Sequence, residues 1–220
     1  MEELLLTNPI STTILQQVDP MVSRSKFDRE LSYFMQVKDY NMQRGVVLID
    51  AEFPFIKLAF YAYRIKPLIL AFAIRLDFTN YDLEPPSLRF IDFLTDYDLT
   101  HPELYINLTR FQMDPLGEGN PVCKPLQDLI QSHKPKNIPF VCLPGIKEYH
   151  SHPSHSNDSW LSRKGKGEGT LGFIIDQLHK YGTEPLNGIL PVMANIQQIN
   201  PAGMLIQFAG ITFTRDKNPL

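Results

Sequence analysis

Cysteine is scarce in this chain: two in 220 residues, at positions 123 and 142. Two thiols make no disulfide framework, and the expected setting is a reducing cytoplasm with free cysteines. Charge of one sign is scarce as well. Twenty-one Lys and Arg against 24 Asp and Glu leave a net −3 at pH 7, so no global basic field recruits nucleic acid or an anionic membrane. No apolar run approaches the roughly 20 residues of a membrane-spanning helix. The stretch Pro67 to Ile74 is apolar but stops at Arg75, and it reads as a buried strand. The start, Met1-Glu2-Glu3-Leu4-Leu5-Leu6, lacks the basic segment and long apolar stretch of a secretion signal. Gly165-x-Gly167-x-Gly169 stands in a basic, polar stretch with no strand before it, which fails the context of a phosphate-binding loop. The helical His-Glu-x-x-His spacing of zinc proteases, internal repeats and low-complexity segments are also missing.

What is there suits one α+β domain with an extension. The chain is 43% hydrophobic and long enough to bury a core without staples. Its 18 prolines punctuate it into short elements. A weak helix is expected over Thr12–Val18, closed by Asp19-Pro20, and a clearer one over 23–43, capped by Ser25 and ended by Gly45. Strands follow at Val46–Ala51, Phe55–Tyr63 and Pro67–Phe78. A fourth, around Leu88-Arg89-Phe90, comes after the Pro85-Pro86 turn, and together they read as an antiparallel meander. Leu94–Pro102 and Met113–Pro125 read as loops, Leu104–Phe111 as a strand and Leu126–His133 as a turn or two of helix. Residues 162–169 read as a mobile basic loop, and Leu171–Tyr181 as an amphipathic helix closed by Gly182. Residues 1–184 form the main domain. The extension 185–220 carries a β-hairpin, with strands near Ile189–Ile199 and Gly203–Thr214.

Reactive side chains crowd into one place. From Cys142 to His155 the chain reads Cys-Leu-Pro-Gly-Ile-Lys-Glu-Tyr-His-Ser-His-Pro-Ser-His, with one cysteine, one carboxylate and three of the six histidines. Cys142 ends an apolar strand before Pro144-Gly145, a turn that would expose it. Lys147, His150 and His152 could lower its pKa. Glu148, His150 and His152 are spaced by two, so an extended segment would project all three to one side. Two chemistries fit. One is a cysteine nucleophile with imidazole help. The other is a metal site, with Cys142 completing four ligands for an ion such as zinc. His155 stands past Pro153 at odd spacing and reads as solvated. Trp160 reads as a core anchor, Cys123 as structural, and His101 and His179 as isolated.

The order of elements is similar to that of the ubiquitin-conjugating enzymes. The carrying residues are Pro85-Pro86-Ser87-Leu88-Arg89-Phe90 after the meander, Val141-Cys142-Leu143, Trp160 downstream and the helix after it. More narrowly, the chain resembles a bacterial branch with a predicted metal-binding Cys-Glu-His-His signature, matched here by Cys142, Glu148, His150 and His152. The resemblance covers roughly residues 25–182. It implies a conjugating-enzyme-like fold and a cytoplasmic acyl transferase without a cofactor. Cys142 would take a ubiquitin-like modifier as a thioester from an adenylating activating enzyme and pass it to an amine of a target protein. His150 or His152 would be the base, and Glu148 would orient one imidazole. The setting implied is an operon for defence against phage. One departure stands out. The His-Pro-Asn tripeptide usual before the cysteine is replaced by Pro135-Lys136-Asn137-Ile138-Pro139, so Asn137 or the two imidazoles would stand in for it.

Overall fold

The structure, a computed structural model, describes residues 16–114, 122–132, 138–200 and 203–215. In chain order the elements are α1 (Pro20–Gln36), α2 (Lys38–Gln43), β1 (Val46–Glu52), β2 (Phe55–Tyr61), β3 (Leu70–Asp77) and β4 (Ser87–Ile91). Then come β5 (Thr109–Asp114), β6 (Val122–Asp128), β7 (Ile130–Gln131), β8 (Phe140–Val141), α3 (Lys147–Ser151) and α4 (Trp160–Arg163). The chain closes with α5 (Leu171–Leu178), β9 (Leu186–Asn200) and β10 (Gly203–Arg215). The class is α+β, with antiparallel sheets. Among the described residues no helix is long and apolar enough to cross a membrane.

Strands β1 to β4 form one sheet in sequential order, all antiparallel, as the spacing predicts. Register explains the core. Ile56, Leu58 and Phe60 stand opposite Leu76, Ile74 and Phe72, and Leu76 and Ile74 stand opposite Leu88 and Phe90. Alternation puts all of them on one face. Phe60 stacks on Phe72 with centroids 4.7 Å apart. Phe27 and Phe34 of α1 and Leu171, Ile174, Ile175 and Leu178 of α5 bury that face.

Helix α1 begins earlier than the sequence suggests. Asp19 accepts the Met21 N–H at 2.8 Å and Pro20 occupies the first turn. Asp19-Pro20 thus starts this helix, because proline lacks only an N–H that the first turn leaves unpaired. Residues 16–18 are not helical, and 12–15 lie outside the described residues. The carboxylate of Glu30, buried in mid-helix, accepts from Tyr81 Oη at 3.2 Å and from the Leu171 N–H at 3.1 Å. It therefore ties α1 to the start of α5.

The middle of the chain departs most from expectation. Residues 126–128 and 130–131 are strand, not helix, and part of the expected 113–125 loop is β5 and β6. Residues 104–108 are not strand. Cross-strand pairing overrides a weak local preference here, since Thr109 to Asp114 finds its partner in Val122 to Asp128. The C-terminal hairpin forms as expected, with β9 paired antiparallel to β10.

Candidate active site

The site is built where β8 leaves the core. Val141 pairs with Ile130, and the Cys142 N–H donates to the Leu129 carbonyl at 2.7 Å. Alternation then sorts the side chains. Val141 and Leu143 join the main core, while Phe140 and Cys142 turn to the opposite face, where they pack with Tyr149. Gly145 makes the turn with φ +90°, and a Cβ there would meet the Gly169 nitrogen at 2.3 Å. Only glycine fits that close approach.

After the turn the chain is helical, which overturns the extended reading of 148–152. Residues two apart on a helix point about 200° from each other. Glu148, His150 and His152 accordingly part company. Glu148 turns to β4, where it accepts from Ser87 Oγ, from the Leu88 N–H at 3.2 Å and from Arg89 Nη1 at 2.8 Å. His150 bridges two backbones: Nδ1 donates to the Asp158 carbonyl at 2.8 Å, and Nε2 accepts the Gly145 N–H at 3.2 Å. Both ring nitrogens are thereby committed. His152 caps the next turn, its Nδ1 accepting the Ser154 N–H at 3.2 Å, and its ring stacks on Phe140. Among the described residues no three His, Cys, Asp or Glu side chains gather as a group able to hold a metal ion. With Glu148 and His150 so engaged, the set Cys142, Glu148, His150 and His152 does not fit a common ion.

The imidazole that reaches the thiol is His155. The 3₁₀ turn Pro153–His155 folds back over Cys142 and sets His155 Nε2 at 3.3 Å from Sγ. The sequence reading of His155 as solvated is corrected by that contact. Tyr149 holds the ring in place, stacked at 3.9 Å between centroids. Tyr149 Oη in turn donates to Asp158 Oδ2 at 2.7 Å, and Asp158 is gripped by Arg163, whose Nη1 also reaches Glu168 at 2.7 Å. Burial, and donation to Asp158, push the Tyr149 phenol up to about 12. Hydrogen bonds from Arg163 and Tyr149 hold the Asp158 carboxyl down at about 2. Arg163 and Glu168, expected in a mobile loop, instead anchor this network.

The thiol itself is 3% exposed, against the exposed cysteine expected at a strand end. Phe140, Tyr149, His155 and Gln127 close over it, and Gln127 Nε2 donates to Sγ at 3.4 Å. Burial pushes the Cys142 thiol up, and the Gln127 hydrogen bond and the positive charge of Arg110 work against that shift. The thiol proton stands within reach of His155 Nε2. Moving that proton to His155 yields a thiolate, the nucleophilic form.

Sequence reasoning missed His155, Gln127, Arg110, Tyr149 and Asp158. A helix over 126–133 gives Gln127 no cross-strand partner. As strands, the run places Gln127 directly opposite Arg110, with both side chains on one face. His155 carried one usable signal, the Pro153 that opens a tight turn. Trp160 behaves as the expected anchor, 7% exposed, with Nε1 donating to the Asp82 carbonyl at 3.0 Å. His179 is buried against Tyr63, and His101 Nδ1 lies 3.0 Å from Ser132 Oγ. Asn137 and the side chain of Cys123 lie outside the described residues.

The same stretch of chain is shared with relatives. Over 180 residues it is 42% identical to "Uncharacterized protein y4jH" of Sinorhizobium fredii (strain NBRC 101917 / NGR234), covering 78% of this chain and 87% of that one. The Y4jH-like family model matches residues 18–186, which run from the residue before the cap of α1 to the first residue of β9 and take in every residue of the site. The chain therefore belongs to the Y4jH family.

Proposed function

We propose that the chain is a thiol acyl carrier of the ubiquitin-conjugating type, with Cys142 as nucleophile and His155 as its proton acceptor. The observation that carries the reading is the 3.3 Å contact between Cys142 Sγ and His155 Nε2. The order of elements supports it: helix α1, a four-stranded antiparallel meander, the Pro85-Pro86 turn, a cysteine at a strand end, Trp160 and α5.

The chemistry asks little of the protein. The thiol gives its proton to His155 and attacks the activated carboxyl of a ubiquitin-like modifier. A sulfur–carbon bond forms as the activating enzyme's own group leaves with its electron pair. An amine of the target then attacks the thioester carbon, a carbon–nitrogen bond forms, and sulfur leaves as thiolate to be reprotonated. A general base of this kind contributes roughly 100- to 10,000-fold. Burial of Sγ adds a requirement: a polypeptide terminus reaches it only after the 153–155 turn or the Gln127 side chain moves aside. In the closed form the thiol is shielded from oxidants. The partners are the modifier, its adenylating enzyme and the target, in the cytoplasm, and Glu148 and His150 serve to shape the site.

The test is a non-reducing gel of the chain mixed with a ubiquitin-like modifier, its adenylating enzyme and ATP. A thiol-sensitive adduct that Cys142→Ala abolishes and His155→Ala weakens is the expected result. With an activating enzyme that demonstrably charges itself, no adduct on this chain would end the proposal.

A further inference from the structure

We infer that Gln127 and Arg110 form the oxyanion-binding donors of the Cys142 site, an inference that rests on the acyl-carrier reading above. Acyl transfer to sulfur passes through a tetrahedral intermediate whose former carbonyl oxygen carries a full negative charge. Preorganised donors aimed at that oxygen are commonly the largest single contribution to such catalysis. The described residues offer this pair in that place.

Gln127 Nε2 already touches Sγ at 3.4 Å. The oxyanion would lie two bonds from Sγ, within reach of a donor that contacts the sulfur itself. Arg110 stands directly across from Gln127 in the β5–β6 register, so both side chains share a face. Its Nε–H is buried and has no hydrogen-bond partner among the described residues. The guanidinium lies over the Tyr181 ring at 5.6 Å, which fixes its plane without using that N–H. A buried donor left unpaired is costly, and an arriving anion relieves that cost. The site thus binds charge that exists only during the reaction, which is how binding energy becomes rate. His150 cannot serve in this way, since both of its ring nitrogens face backbone groups.

In the test reaction the Cys142 thiolate attacks the carbonyl of p-nitrophenyl acetate, the S–C bond forms, and nitrophenolate leaves with the C–O electron pair; the biological transfer passes through the same kind of tetrahedral oxyanion with the activating enzyme's group leaving instead. p-Nitrophenyl acetate reports this directly as released nitrophenolate. Iodoacetamide attacks the same sulfur by direct displacement of iodide and forms no oxyanion. Both rates are measured on the full chain, each corrected by Cys142→Ala, for wild type, Gln127→Leu, Gln127→Glu and Arg110→Lys. Removing one donor is expected to lower the ratio of acylation to alkylation by about 100-fold; the Gln127 variants also slow alkylation itself, because they lose the hydrogen bond to Sγ that favours the thiolate. Arg110→Lys keeps the charge and loses the Nε–H, so it should follow the same pattern. Gln127→Glu preserves size and serves if the leucine variant fails to fold. Acylation and alkylation falling by the same factor, or acylation unchanged in the Gln127 and Arg110 variants, overturns the inference and leaves the nucleophile intact. If instead Cys142→Ala releases nitrophenolate as fast as wild type, the acyl-carrier reading itself is overturned.

Discussion

Replacing Glu148 by alanine separates a residue that shapes the site from one that acts in it. Its carboxylate accepts from Ser87 Oγ, the Leu88 N–H and Arg89 Nη1, and so fastens α3 to β4. Its side chain is 16% exposed and that of Arg89 32%, so water partly replaces the arginine contact but not the one to the buried Leu88 strand. Hydrogen bonds to charged groups are each worth about 1.5–3 kcal/mol. Discounting the exposed arginine, Glu148→Ala should cost about 3 kcal/mol. For a chain of this size each kcal/mol lowers Tm by about 2–4 °C, which gives a fall of about 6–12 °C. Glu148→Gln keeps an acceptor for the Leu88 N–H and should lose about 1 kcal/mol. Urea denaturation and thermal melts measure the cost, and iodoacetamide labelling of Cys142 below the melt measures reactivity. The expected outcome is a destabilised protein whose thiol still reacts at a near-normal rate. A Glu148→Ala protein with unchanged Tm and a dead thiol would refute the reasoning, because it would make the carboxylate necessary for the reactivity of the thiol and not for the fastening of α3 to β4.

Four other outcomes follow from the geometry. His155→Ala should slow Cys142 labelling at pH 7 by about 100-fold, the low end of general-base contributions. His150→Ala should leave the rate nearly unchanged and lower stability by about 1–2 kcal/mol through its two lost backbone bonds, and comparison of the two pH–rate profiles checks both. Gly145→Ala should destabilise by about 2 kcal/mol or more, since φ +90° is strained for alanine and its Cβ would meet Gly169 backbone, which a melt reads out. Asp158 is held below its ordinary value of 3.8, at about 2, so its contribution is full above the unfolded value and disappears as pH falls through about 2. Asp158→Asn should therefore be less stable than wild type at pH 7, with the gap closing between pH 4 and 2 in parallel urea titrations.

Local pattern carried much of the fold. The period-two runs from Val46 to Phe90 specify the meander because one face must be apolar wherever a sheet packs on helices. The stripe Leu171, Ile174, Ile175, Leu178 specifies α5 for the same reason at helical period. The C-terminal hairpin was legible from its Asn-Pro and Gly breaks. That Cys142 ends an apolar strand before a Pro-Gly turn was legible, since the run Ile138 to Leu143 and Pro144-Gly145 mark it locally.

The partners of that sulfur were decided in three dimensions. The spacing of Glu148, His150 and His152 has one meaning on a strand and the opposite on a helix, and the turn at Gly145 chose the helix by packing against Gly169. Gln127 and Arg110 come from strands whose pairing is non-local, and no short window of chain encodes which residue will stand across from which. His155 reaches the thiol because Tyr149, Asp158 and Arg163 hold a turn closed behind it. Sequence alone determined that a thiol would sit at the end of β8; tertiary packing determined that it would be covered and which imidazole would face it. Burial and proton-transfer contacts depend on neighbours brought together across the fold, and the chain's linear order does not contain those distances.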